Sequence, residues 1–173
     1  MMKWTLIIIG SLVAIVLLVT VVGALLPRDH VARSYTLLRA APDTVWQTIT
    51  DVAGAPAWRD VQKVEVLTDG AGPLRWREHG KYGPITFEQI ESVRPSKFVA
   101  RIADTDQGFG GTWTYDIVPE GKGSRVTITE NGFVTNPIFR FMSRFVFGYH
   151  GTQEEYLRAL GKKFGETADV QRK

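Results

Sequence analysis

The 173-residue sequence contains no cysteine. Disulfide bonds, thiol nucleophiles and thiolate metal sites are therefore excluded. The three histidines, His30, His79 and His150, are scattered. No two of them stand at metal-ligand spacing, so neither a zinc site nor any other metal is expected. No run of Lys or Arg stands out, which argues against nucleic acid as a partner. Gly108, Gly110 and Gly111 have neither the spacing nor the Lys-Ser/Thr of a phosphate loop, and read as a flexible hairpin turn. No Ser/His/Asp arrangement can be picked out, no cofactor is implied, and there is no internal repeat.

Charge is missing from one long stretch. From Trp4 to Leu26 no residue is charged, and only Thr5, Ser11 and Thr20 carry polar side chains. As a helix this run is roughly 34 Å long, slightly more than a hydrocarbon core of about 30 Å. Residues 1–27 are therefore expected to be an N-terminal transmembrane anchor. A cleaved signal peptide is the competing reading, with Lys3 as its positive start and Val22-Gly23-Ala24 as a small-residue cleavage site. The apolar run is longer than the 7–15 residues usual for such a signal. A soluble helix apolar on every side would need a cover that the rest of the chain does not offer.

Beyond residue 27, 20 basic residues face 18 acidic ones, so the pI of about 9.3 overstates the cationic character. Residues 28–166 have the size of one domain, and 167–173 read as a disordered tail. Only Pro27 to His30 separate the apolar run from the first strand-like residues. Four extended residues reach about 14 Å, which would hold the domain against the lipid headgroups.

The periodicity predicts an α+β domain. Val31–Leu38 is β-branched and aromatic enough for a strand. Ala41-Pro42-Asp43 opens a short helix running to about Asp51, because proline is tolerated in a first helical turn. Gly54, Pro56 and Trp58 mark a second short helix or turn. Strand patterns follow over 61–67, 74–81, 85–92, 97–102, 111–119 and 124–133, separated by turns such as Gly70-Gly72-Pro73 and Pro95-Ser96. Asn136 as N-cap and Pro137 as first residue open a C-terminal helix. Its apolar positions Ile138, Phe141, Phe145, Tyr149, Tyr156, Leu160 and Phe164 recur at helical steps, and Gly148 and Gly151 predict a kink or break.

This order of elements resembles the START-like superfamily, also called SRPBCC, of polyketide cyclases/dehydrases and lipid-transport proteins. The resemblance is carried by 41–46 (Ala-Pro-Asp-Thr-Val-Trp), the Asp51…Trp58 element, Gly111-Thr112-Trp113, the Gly123…Glu130 strand, and Asn136-Pro137-Ile138-Phe139-Arg140-Phe141 with the helix through Leu160. It covers about residues 31–166. It implies a helix-grip fold: a seven-stranded antiparallel sheet wrapped around a long C-terminal helix, with a deep apolar cavity between them for a small hydrophobic ligand, often a lipid.

On that fold, Trp76, Phe87, Phe98, Trp113, Tyr115, Phe141, Phe145 and Tyr149 are the candidate cavity residues, with ordinary core packing as the alternative. Trp113, Tyr115 and Ile117 alternate onto one face of their strand. Glu130 ends the apolar face made by Val126 and Ile128, so it is both a cavity candidate and the one weak catalytic candidate. It would orient a ligand hydroxyl or act as general acid/base, unless it reaches water or pairs with an arginine such as Arg140. Glu78 beside Trp76 follows the same logic. Phe139, Phe141, Phe145 and Phe147 cannot share one helical face, and Arg140 and Arg144 lie among them. Phe139, Arg140, Arg144 and Phe147 are therefore expected to form a membrane-facing gate.

Three functions remain open: binding of a hydrophobic ligand or lipid at a membrane, a cyclase or dehydratase using Glu130, and an envelope interaction module with a filled core. The partners expected are the lipid bilayer and the small ligand. Arg28, Arg33 and Arg39 against Lys3 favour a cytoplasmic domain by the positive-inside count. A short Lys-bearing tail before a long apolar run instead has the form of an export anchor, and the extracytoplasmic side of a bacterial plasma membrane is the expectation.

Overall fold

The computed structural model describes residues 2–68, 72–81, 83–104 and 107–173. Helix α1 spans Met2–Leu25 and is long and apolar enough to cross a membrane. Leu26, Pro27 and Arg28 lead directly into strand β1, Asp29–Leu38. Helix α2, Pro42–Thr50, follows with Val45 and Ile49 buried one turn apart. A single 3₁₀ turn, Ala55–Ala57, occupies the place predicted for a second short helix.

Six strands then meander: β2 Lys63–Val66, β3 Arg75–Gly80, β4 Gly83–Val93, β5 Lys97–Ile102, β6 Phe109–Glu120 and β7 Gly123–Val134. Short turns force neighbours to run antiparallel, and β1 closes beside β7. The turn predicted at Gly70-Gly72-Pro73 lies partly outside the described residues.

Among the described residues the sheet has eight strands instead of the expected seven. Gln171–Arg172 forms β8 and pairs with Ser34 and Tyr35 of β1. The segment 167–173, expected to be disordered, is held there because the outer edge of β1 offers unpaired backbone groups. Thr36 Oγ1 also donates to the Asp169 carbonyl at 2.8 Å.

Gly110 and Gly111 lie inside β6, not in a hairpin turn. A side chain at Gly111, with φ of 141°, would collide with the Asn131 carbonyl of β7. The spacing of those glycines carries a close strand approach.

The C-terminal helix comes in three pieces. Helix α3, Pro137–Met142, is capped by Asn136, whose Oδ1 accepts from the amides of Ile138 (2.9 Å) and Phe139 (3.1 Å). A π-helical segment, Ser143–Phe147, stops at Gly148, whose φ of 71° suits glycine. Helix α4, Gly151–Lys163, then crosses the concave face of the sheet. The break falls where the two glycines predicted it. Gln153, Tyr156, Leu157, Leu160 and Gly161 make the buried face of α4, at the steps of one helical stripe. The core lies between that stripe and the inward residues of β1 and β3 to β7.

Candidate functional site

Inward-facing residues of the sheet follow from its register. Trp113 of β6 stands directly opposite Glu130 of β7, and Ala32 of β1 stands on the other side of Glu130. Directly opposed side chains start about 5 Å apart, so Trp113 and Glu130 share one patch of the concave face. His30, two residues before Ala32, points to the same face. Its Nε2 lies 3.4 Å from Glu130 Oε1. From α4, Gln153 donates through Nε2 to the Ala32 carbonyl (3.1 Å) and to Glu130 Oε2 (3.4 Å). Tyr149 stacks on the His30 ring with centroids 4.0 Å apart. Gly132 makes room for this group, since a side chain there would strike the His30 ring.

These contacts leave Glu130 poorly satisfied. Both of its partners stand at 3.4 Å, at the long end for a hydrogen bond. The side chain is only 20% exposed, and among the described residues no Arg or Lys pairs with it. The alternative partner, Arg140, is committed elsewhere. Buried atoms without a hydrogen-bond partner include His30 Nδ1 and Gln153 Oε1.

A second polar group joins β3 to the segment before β2. Arg59 pairs with Glu78, which also accepts from Trp76 Nε1 at 2.9 Å. The Arg59 guanidinium lies over the Tyr156 ring, 5.2 Å from its centroid. Burial opposes the Arg59 charge, yet Tyr156 and Glu78 beside it hold its pKa above the ordinary value. Burial pushes the Tyr156 phenol up to about 12, against the pull of Arg59 and with help from Glu78. Burial also raises Tyr115 well above its ordinary value, with Tyr156 adding to it.

Trp76, Phe87, Phe98, Trp113 and Tyr115, expected to line a cavity, do come together. They form a continuous aromatic array in which Phe98 and Tyr115 are 6.0 Å apart and Tyr115 and Tyr156 5.3 Å. These side chains pack against one another on the concave face of the sheet. An open cleft of about 470 Å³ lies at the other end of α4, lined by Pro56–Asp60, Ala159, Lys162 and Lys163.

Of the remaining cavity candidates, Tyr149 joins the His30–Glu130 group. Phe141 and Phe145 contact each other (4.9 Å) away from that array, and Phe145 is exposed. Phe145 lies in the π-helical segment, none of whose residues is buried. Phe139, Arg144 and Phe147 are exposed as expected, together with Ile138 and Val146, and Phe147 is 69% exposed.

Arg140 is a correction. It is 6% exposed and does not face outward. Its Nη1 donates to the Leu26 carbonyl at 2.7 Å, with the Ala24 carbonyl at 3.5 Å. Those carbonyls at the end of α1 have no partner within the helix, and a guanidinium satisfies them well. Beside it, Gly23 of α1 packs against the Pro137 backbone. Helix α3 thus lies across the last turns of α1.

The sequence did not point to His30, Gln153 or Arg59 as members of these groups. Period-2 alternation back from Ala32 would have pointed His30 inward, and the stripe Tyr156, Leu157, Leu160 extends back to Gln153. Nothing local marks Arg59.

A curved antiparallel sheet gripping a C-terminal helix, with polar groups set into an aromatic interior, defines a START-like helix-grip protein. The family model for polyketide cyclase / dehydrase and lipid transport matches residues 29–164, and the chain belongs to that family. No curated protein matches the sequence. Among solved structures, the di-domain ARO/CYC StfQ of the steffimycin biosynthetic pathway superposes with a TM-score of 0.64 at 11% identity. The match covers 80% of this chain but 52% of that one, so this chain spans about half its length. Norcoclaurine synthase from Thalictrum flavum gives 0.62 at 17% identity over 80% and 87% of the two chains. A START superfamily protein from Mycobacterium smegmatis gives 0.59 at 16% over 78% and 96%. At these identities the likeness concerns the fold.

Proposed function

We propose that this chain is a membrane-tethered, non-enzymatic binder of a small hydrophobic ligand or lipid, held between the concave face and the C-terminal helix. One observation carries the reading. The element that covers the concave face continues into an exposed aromatic segment, 138–147, which itself packs on the end of a membrane-length helix. An apolar patch of that kind beside a spanning helix belongs in the lipid interface. There it serves as the gate through which a bilayer-derived ligand reaches Trp113, Tyr149 and the aromatic array. The proposal places the domain on the extracytoplasmic side of a bacterial plasma membrane, against the three-to-one count of Arg28, Arg33 and Arg39 over Lys3, and phosphatase and fluorescent-protein fusions at the C-terminus distinguish the two sides.

Lipid extraction and native mass spectrometry of the full chain test the reading. A stoichiometric co-purifying lipid is the expected result. Preparations that never carry or accept one would favour an interaction module with a filled core. The contact between His30 and Glu130 favours a second reading, a cyclase or dehydratase with Glu130 as acid/base, in which Glu130→Gln abolishes turnover and spares binding.

A further inference from the structure

Glu130 is mostly buried, has no cationic Arg or Lys partner among the described residues, and holds two neighbours only at 3.4 Å. A carboxylate removed from water and left with long contacts is under-satisfied. Gln153 cannot relieve the shortage by turning its amide. The Ala32 carbonyl and the Glu130 carboxylate are both acceptors, so its nitrogen must face them. Its Oε1 is left buried without a donor. The unmet needs of Glu130 and Gln153 are both for a hydrogen-bond donor.

The surroundings set the rest of the chemistry. Trp113 stands opposite Glu130, and Tyr149 stacks on His30. Tyr149 follows the exposed 138–147 segment by two residues, and Val134 at this end of β7 donates to the Arg28 carbonyl just after α1. The group thus lies at the α1 end of the concave face, next to the proposed gate.

We infer that Glu130, His30 and Gln153 form the anchoring point for the polar head of an amphipathic ligand. That head is a hydroxyl or ammonium group that donates hydrogen bonds, and the apolar body lies against Trp113 and Tyr149. The inference rests on the ligand-binding reading above and names its substrate class.

The full chain in detergent micelles is loaded with equimolar 1-hexadecanol, hexadecylamine and hexadecyl methyl ether, and bound species are counted by native mass spectrometry. The wild type should favour a donor-bearing ligand over the ether by roughly tenfold, the ordinary worth of one hydrogen bond to a charged group. An excess of alcohol identifies a hydroxyl head, and an excess of amine an ammonium. Glu130→Leu should lose most of that preference and still bind the ether. If Glu130→Leu does not fold, the isosteric Glu130→Gln, which keeps an acceptor but loses the charge, should reduce the preference about threefold. Equal occupancy by donor and ether in the wild type, or an unchanged preference in the variants, overturns the inference and leaves the ligand-binding reading standing. Binding of none of the three overturns both.

Discussion

Gly23 and Pro137 meet so closely that a Cβ on Gly23 would stand 1.9 Å from the Pro137 carbonyl oxygen. The absence of a side chain at that one position lets α3 lie across α1. Gly23→Leu should force the two apart and cost about 1–3 kcal/mol, as overpacking does elsewhere. The chain has no cysteine, so Phe147→Cys can be labelled uniquely with an environment-sensitive dye. In lipid nanodiscs the dye should report an apolar setting, and adding Gly23→Leu should shift it toward water. A dye that is aqueous in both chains would count against an embedded segment.

Arg140 closes the end of α1 by donating to Leu26 and reaching Ala24. Arg140→Met keeps much of the packing volume and removes the donors. The two carbonyls then lack a partner, at a cost of about 1–3 kcal/mol. Thermal melts of the full chain in micelles should fall by roughly 2–12 °C, given about 2–4 °C per kcal/mol at this chain size. Arg140→Lys should restore only part of the loss, because an ammonium lacks the planar fork.

The buried tyrosines predict an alkaline limit. Tyr156 titrates near 12 and Tyr115 also above its ordinary value, both chiefly through burial. A pKa raised by folding means that the folded chain holds the proton more tightly. The stabilisation is complete below pH 10 and is lost as pH rises from 10 toward 12. Absorbance of tyrosinate should therefore show a late-ionising class that appears together with loss of the folded circular-dichroism signal. Tyr156→Phe should remove part of that class.

At the acid side, Glu154 is held below its ordinary value, first by Arg172 (2.5 Å), against its burial, and then by Arg158 (2.8 Å). For a depressed carboxylate the stabilisation is present above about pH 4.5 and fades as pH falls through the lowered value. Arg172→Ala should cost about 1 kcal/mol at neutral pH, and that difference should shrink in melts taken toward pH 3. The same variant should loosen β8 and speed hydrogen exchange of the Arg33 to Tyr35 amides.

Much of the fold was legible in the sequence because its signals are local. β-Branched and aromatic composition marked β1, strand patterns between turns marked β2 to β7, Asn136-Pro137 marked the start of α3, and Gly148 marked its break from α4. The eighth strand was not legible. Gln171 and Arg172 carry no strand pattern of their own, and they are ordered by the free edge of β1 and by Glu154.

Of the site, the sequence by itself determined the inventory: an uncharged helix of membrane length, inward aromatics on alternating positions, a carboxylate ending an apolar strand face, and an aromatic segment too dense for one helical face. These follow from period and composition, which act over a few residues. Only the tertiary structure decided the partnerships. It brought His30 to Glu130 across a hundred residues, gave Arg140 to the end of α1 instead of to Glu130, and left Phe145 exposed in a π-helical segment. Hydrogen bonds and ion pairs depend on distances of a few ångströms between segments far apart in the chain, and those distances exist only after the sheet has closed on its helix.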